Sequence, residues 1–292
     1  MIVTEIIKML RPKQWTKNFF VLMPLVFGGG LVDPTKIILS IKGFILFSIA
    51  ASSVYIFNDI LDKNSDAVHP TKRSRPLAKG TVSIKTAYIL AALLAVISLA
   101  ASSIYDIRFF ACIIFYLMLN ISYTLFLKKK VILDIMSIAA GFEARIWAGS
   151  LIIGITPSIW LQLCVFILSV FLGAVKRRHE IIEHPENAVS QRAVLSEYST
   201  SFLDQLISIS ATLSIVFYGL YAVSSSIQER LGSSNMLYTV PLVIYGIYRF
   251  LFLAPVKELG GDPSEILLKD RSLMICILVW IVVSAVLLYG KI

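Results

Sequence analysis

The sequence predicts an all-α fold, a polytopic membrane helix bundle of nine transmembrane helices, and three observations carry that expectation. Hydrophobic residues fill 57% of the 292 positions and charged residues only 15%, and mean hydropathy is +0.81, far above the range of a soluble domain. Apolar windows of about 20 residues, enough to cross a hydrocarbon core of roughly 30 Å, follow one another with short polar gaps. Basic residues gather in alternate gaps. The windows use up nearly the whole chain, so residues 1–292 read as a single transmembrane domain. No soluble appendage or low-complexity tract is expected, and no nucleic acid is expected as a partner despite the formal charge of +9.

The expected spans are 19–32, 37–58, 84–105, 108–127, 131–153, 158–175, 205–227, 236–254 and 272–290. The first follows a basic start, MIVTEIIKMLRPKQWTKN, with no small-residue cleavage pattern, and is expected to be retained. The second runs into an acidic cluster and then a basic loop. The fourth ends at Lys128, Lys129 and Lys130, and the sixth at Lys176, Arg177 and Arg178. These basic gaps lie on one side of the bilayer. The opposite gaps hold only Lys36, Arg108, Arg230 and Lys291. By the positive-inside rule the N-terminus and the long loops are cytoplasmic, in the cell (inner or plasma) membrane. An even number of spans would break the alternation. Cys112, Cys164 and Cys276 sit in separate apolar runs without metal-ligand spacing and read as packing residues.

The most informative stretch is Tyr55–Pro76, YIFNDILDKNSDAVHPTKRSRP. Spacings of three and four residues put Asp59, Asp62 and Asp66 within an arc of about 60° on a helix, with Asn58 beside them. One reading is a Mg²⁺ site, because this hard cation takes carboxylate and amide oxygens, keeps several waters and is completed by substrate phosphate. The other is a solvated helix end whose acids pair with Lys63 or Lys72. Directly downstream, Lys72, Arg73 and Arg75 lie in a loop bounded by Pro70 and Pro76. Arginine forks suit phosphate oxygens, so the stretch matches a diphosphate held with Mg²⁺, against the plainer reading of topology-setting charge.

NDILDKNSD followed by RPLAKG resembles the NDxxDxxxD and RP signature of the UbiA superfamily of intramembrane prenyltransferases, nine-helix bundles with a cytoplasmic-facing active site. RPKQWTKN, HPTKRSRP, LDIMSIAAGFEARIWAG, GAVKRRHE and GDPSEILLKDR are similar to one branch of it, the phosphoribosyltransferases that act on a polyprenyl (decaprenyl-type) phosphate. The resemblance implies transfer of 5-phosphoribosyl from phosphoribosyl diphosphate to the lipid phosphate, with Mg²⁺ held by Asn58, Asp59, Asp62 and Asp66. The three aspartates are the implied catalytic residues. Family members that prenylate aromatic acids carry a second aspartate-rich motif after the sixth span. Here KRRHEIIEHPENAVSQ stands in that place, and Pro185 disfavours a continuous helix through Glu180, Glu183 and Glu186.

Other residues are weighed singly. Lys17, at the mouth of the first span, is expected to meet a phosphate or else to snorkel. Arg145 falls mid-span, where a charge costs about 2.5–3.5 kcal/mol on insertion scales, and so lines a polar cavity or pairs with another span. Glu143 is too close in sequence to be its assured partner. Asp134 is expected to orient Lys130. Tyr123, about a turn from the three lysines, is a weaker substrate candidate or an interface anchor. Lys176 and Arg177 are candidates for phosphate, and Glu180 for a ribose hydroxyl or a basic partner. His69, His179 and His184 are expected in loops, and a lipid phosphate that is already anionic needs no general base. Two alternatives stand beside this reading. One is prenyl transfer from a prenyl diphosphate to an aromatic acceptor, which the missing second acid motif opposes. The other is an anionic-lipid transporter, which leaves the three aspartates without a task and lacks paired broken helices. Self-association is left open.

Overall fold

The computed structural model describes residues 2–68, 72–183, 193–231, 235–254, 266 and 269–290. Twelve α-helices are joined by short 3-10 turns, and no strand occurs among the described residues: α1 (Ile2–Leu10), α2 (Met23–Phe27), α3 (Pro34–Leu61), α4 (Lys63–Val68), α5 (Ile84–Tyr105), α6 (Ile107–Leu125), α7 (Leu133–Ile153), α8 (Ile159–Glu183), α9 (Thr200–Ala222), α10 (Ser225–Leu231), α11 (Val240–Leu253) and α12 (Arg271–Tyr289). Among the described residues, eight helical stretches are long and apolar enough to cross a membrane. The chain is a multi-pass membrane protein.

Several long helices start where the sequence supplies an acceptor for their orphan N–H groups. Asp33 accepts from the amides of Thr35 and Lys36 ahead of α3, and Ser83 from Thr86 ahead of α5. Asp106 accepts from Arg108 and Phe109 and separates α5 from α6 within one residue. Ser199 and Asp270 do the same for α9 and α12.

The first expected span, 19–32, is not one α-helix. Residues Pro12–Leu22 form a 3-10 helix, α2 follows, and Gly30–Val32 make a further 3-10 turn. Pro24 and Gly28–Gly30 lie inside the apolar run, and each interrupts an i→i−4 ladder or offers a flexible exit from it. The sixth helix runs to Glu183 instead of ending at 175. Lys176, Arg177, Arg178 and Glu180 are good helix formers, and the apolar window ends before the backbone ladder does. His179 therefore sits buried on α8 and not in a loop. His69, His184 and Glu186 lie outside the described residues.

Contacts gather in two units, Met1–Phe126 with Ala144–Thr156, and Leu127–Glu143 with Pro157–Ile292; α7 gives its second half to the first unit and its first half to the second. The first unit has a core of Phe47, Ala50, Ala51, Val54, Phe109, Ile113 and Ala148, and a smaller one where Met9 of α1 meets Ile56, Leu77 and Ala87. The second packs Ile135, Phe171, Ala174, Leu203 and Phe250 together. Outward faces stay apolar. On α12, Ile275, Leu278, Ile281, Val282 and Val286 are all exposed, a patch that hydrocarbon covers and water would not tolerate.

Candidate active site

In the first unit the sequence builds a strap along α3. The chain leaves α1 through Arg11, which adopts a left-handed conformation (φ 51°) directly before Pro12, an arrangement costing about 1–2 kcal/mol for a residue with a Cβ. Residues 12–22 then run antiparallel to α3 and bond to it about once per turn. Asn18 Nδ2 donates to Ser48 Oγ at 3.0 Å. Trp15 Nε1 donates to Ser52 Oγ at 3.1 Å, and Ser52 Oγ donates to the Leu10 carbonyl at 2.9 Å. Further along the same face, Arg11 lies over the Tyr55 ring (5.6 Å) and donates to Asp59 Oδ1. The other side of the strap touches α7 so closely that a Cβ on Gly149 would stand 1.9 Å from the Val21 carbonyl oxygen.

The strap delivers Arg11 to the acidic cluster. α3 ends at Leu61, yet the Asp62 amide donates to the Asn58 carbonyl (2.9 Å) and the Asp66 amide to the Asp62 carbonyl (2.8 Å), so the i→i−4 pattern bridges the break into α4. That continuity keeps Asp59 and Asp66 on one face. Both are buried, and both accept from Arg75 Nη1, Asp59 at 3.0 Å and Asp66 at 2.5 Å. Their partners are thus Arg75 and Arg11, where sequence reasoning offered Lys63 or Lys72. Asp62 is half-buried. Asn58 Oδ1 accepts from Thr124 Oγ1 of α6, which ties the end of α3 to that helix. Lys17, Lys72 and Tyr123 are half-buried and Arg73 is exposed.

Arg145 belongs to a separate buried cluster in the same unit. Its Nε donates to Asn18 Oδ1 (2.9 Å) and its Nη2 to the Tyr116 hydroxyl (3.2 Å), with the guanidinium against the Phe47 and Tyr116 rings at 5.3 and 5.1 Å. Those contacts are the pairing with other segments, one of the two outcomes the sequence left open. Asn18, fully buried, bridges the strap to both α3 and α7.

In the second unit Arg177, 1% exposed, donates to Asp134 and to Glu180, each at 2.7 Å. Tyr198 donates to the other oxygen of Asp134 at 2.6 Å and accepts from the Ile132 amide at 2.7 Å. Burial, reinforced by the Asp134 hydrogen bond, pushes the Tyr198 hydroxyl well above the usual tyrosine range. Asp134 thus orients Arg177 and Tyr198, not Lys130, whose side chain is exposed. Tyr198 in turn stabilises the left-handed Ile132 (φ 68°) at the turn after the lysines. Lys176 is half-buried on α8.

Arg11, Asn18, Thr124 and Tyr198 escaped sequence reasoning. Arg11 was legible only as a topology charge, although an arginine before a proline at the end of an amphipathic turn marks a break that places a side chain.

The family model of the UbiA prenyltransferase family matches residues 19–184. A decaprenyl-phosphate phosphoribosyltransferase of Mycolicibacterium smegmatis is 35% identical over 289 residues, spanning 96% of this chain and 91% of that protein. One of Mycobacterium tuberculosis is 33% identical over 295 residues, spanning 99% and 96%. Among solved structures, a UbiA homologue from Archaeoglobus fulgidus bound to DMAPP and Mg²⁺ shares the fold with a TM-score of 0.70 at 16% identity, covering 97% of this chain and 99% of its own. The chain belongs to the UbiA prenyltransferase family.

Proposed function

We propose that this membrane transferase moves a 5-phosphoribosyl group from phosphoribosyl diphosphate to a polyprenyl phosphate and releases pyrophosphate. The observation that carries the choice within the family is near full-length similarity to relatives bearing the name decaprenyl-phosphate phosphoribosyltransferase, at 35% and 33% identity. The second unit supports it: among the described residues at the end of the sixth span, Arg177 is tied to Asp134 and Glu180.

The first unit supports a Mg²⁺-diphosphate site at Asn58, Asp59, Asp62 and Asp66. Two buried carboxylates that already draw cationic partners are the hard oxygen donors this ion takes, and the Asn58 amide next to Asp59 in sequence is a further oxygen donor. Among the described residues no three His, Cys, Asp or Glu side chains form a closed cage; Mg²⁺ needs none, since waters and substrate oxygens complete its shell. When bound, Mg²⁺ would neutralise charge on the departing diphosphate. Arg11, Lys17, Lys72, Arg73 and Arg75 would hold phosphate oxygens, and their charge offsets that of the leaving group. An anionic oxygen of the lipid phosphate attacks the anomeric carbon. The carbon–oxygen bond to the diphosphate breaks as the ribose gains oxocarbenium character. Because the nucleophile is already charged, no side chain has to remove a proton from it. Lys130, Lys176 and Tyr123 are further candidates for contact with substrate, from their places in the basic clusters and beside them. Arg177 and Glu180 act through each other, as orienting groups. Arg145 acts through Asn18, holding the strap. The alternation of basic loops supports a cytoplasmic N-terminus in the cell membrane.

The test is a choice between substrate pairs. Purified protein with Mg²⁺ is given radiolabelled phosphoribosyl diphosphate with polyprenyl phosphate, or a prenyl diphosphate with an aromatic acid. Label entering the lipid only in the first pair supports the proposal; turnover of the second pair alone replaces it with prenyl transfer.

A further inference from the structure

Asp59 Oδ1 accepts from two guanidinium groups at once, Arg11 and Arg75. A carboxylate oxygen shared in this way has little capacity left for a metal ion, and a divalent cation placed there would meet two like charges within a few ångströms. Metal alone is therefore disfavoured while both arginines stay. A diphosphate removes the conflict, because it brings negative oxygens that match the guanidinium fork better than a single carboxylate oxygen does. The two arginines differ. Arg75 also bridges to Asp66, whereas Asp59 is the one carboxylate that Arg11 meets among the described residues, so loss of a single ion pair frees its guanidinium. The strain at its left-handed backbone marks a position the surrounding contacts hold against local preference.

We propose that Arg11 is a charge-exchange residue: it neutralises Asp59 while the site lacks metal, and it passes to a diphosphate oxygen when metal and diphosphate arrive together. The inference rests on the metal-diphosphate reading above and deepens it. Arg11 makes entry of the ion conditional on entry of its anion. The strap bonds of Trp15 and Asn18 to Ser52 and Ser48 set the register that keeps Arg11 within reach of both partners.

The experiment measures protein-bound Mn²⁺, a stand-in for Mg²⁺, by equilibrium ultrafiltration of the full-length protein in detergent at about pH 8, with and without equimolar inorganic pyrophosphate. Wild type is expected to bind Mn²⁺ weakly alone and much more tightly with pyrophosphate. Arg11→Gln should bind Mn²⁺ alone about ten-fold more tightly, the scale of losing one charged hydrogen-bonding competitor, and should lose most of the pyrophosphate-dependent gain. Unchanged or weaker binding of Mn²⁺ alone by this variant overturns the exchange. Should Arg11→Gln not fold, Arg11→Lys reads the same quantity: charge without the fork should keep weak binding of Mn²⁺ alone and reduce the gain several-fold, and an unchanged gain overturns the proposal. Wild-type binding abolished by Asp59→Asn but unaltered in the Arg11 variants sinks the exchange only. No Mn²⁺ binding by wild type under either condition sinks the metal-diphosphate reading with it.

Discussion

Replacing Asn18 with Ala should destabilise the protein chiefly by taking one acceptor from a buried guanidinium, and a double-mutant cycle can show this. The side chain is fully buried and makes two bonds of unequal worth. Its bond to Ser48 joins uncharged groups inside a membrane protein, where such bonds average about 0.6 kcal/mol. Its bond to Arg145 Nε serves a guanidinium only 5% exposed, and removing a charged donor's buried acceptor costs about 2–3 kcal/mol. Asn18→Ala should therefore cost about 3 kcal/mol. In an Arg145→Met background the charge is gone and the same change should cost about 0.6 kcal/mol, a coupling near 2 kcal/mol for residues in contact. Asn18→Asp keeps an acceptor for Arg145, while the Ser48 hydroxyl can turn to donate, so it should stay close to wild type. Equilibrium unfolding in mixed micelles with graded SDS supplies the four corners. Equal costs in the two backgrounds would refute the argument.

Other expectations follow from single contacts. Gly149→Ala places a Cβ against the Val21 carbonyl and must push the strap off α7; it should cost about 1–3 kcal/mol as an overpacked site and lower activity as Arg11 loses its register, both measurable on one purified sample. The raised Tyr198 pKa means that the folded state prefers the neutral phenol. Stability is then fully present below the unfolded value of about 10 and falls as pH rises beyond it, so melting temperature should drop from about pH 10 upward in wild type and more shallowly in Tyr198→Phe. Asp270 runs the other way: its hydrogen bond with Arg249 holds its carboxyl below the usual range, so its contribution is present above about pH 4 and is lost as pH falls. Asp270→Asn should flatten the acid side of the melting profile, and Asp270→Ala should cost about 1 kcal/mol more by also removing the cap on Leu273.

How far the sequence could be read depended on the range of the interaction. The end of α3 and its acidic face were legible because charges closing a long apolar run leave few local alternatives, and i→i−4 bonds carried Asp59 and Asp66 to one side as the spacing required. The broken backbone of the first span was not legible because hydropathy counts apolar residues without regard to the path of the chain, which Pro24 and the three glycines decide. Partner choice was the least legible. Arg11 and Asp59 lie 48 residues apart and Asn18 and Arg145 lie 127 apart, and nothing in either local pattern names the other. Asp134 shows the same limit: Lys130 is its neighbour in sequence, but Arg177 and Tyr198 reach it through the packing of α7 and α8.

The most direct test of phosphoribosyl transfer is stoichiometry. With Mg²⁺, radiolabelled phosphoribosyl diphosphate and polyprenyl phosphate, purified protein should release one pyrophosphate for each label that enters the lipid fraction, with both fluxes abolished by chelation or by Asp62→Ala. Pyrophosphate released at the same rate without the lipid, or label transfer that survives loss of the aspartate and the metal, would contradict the account.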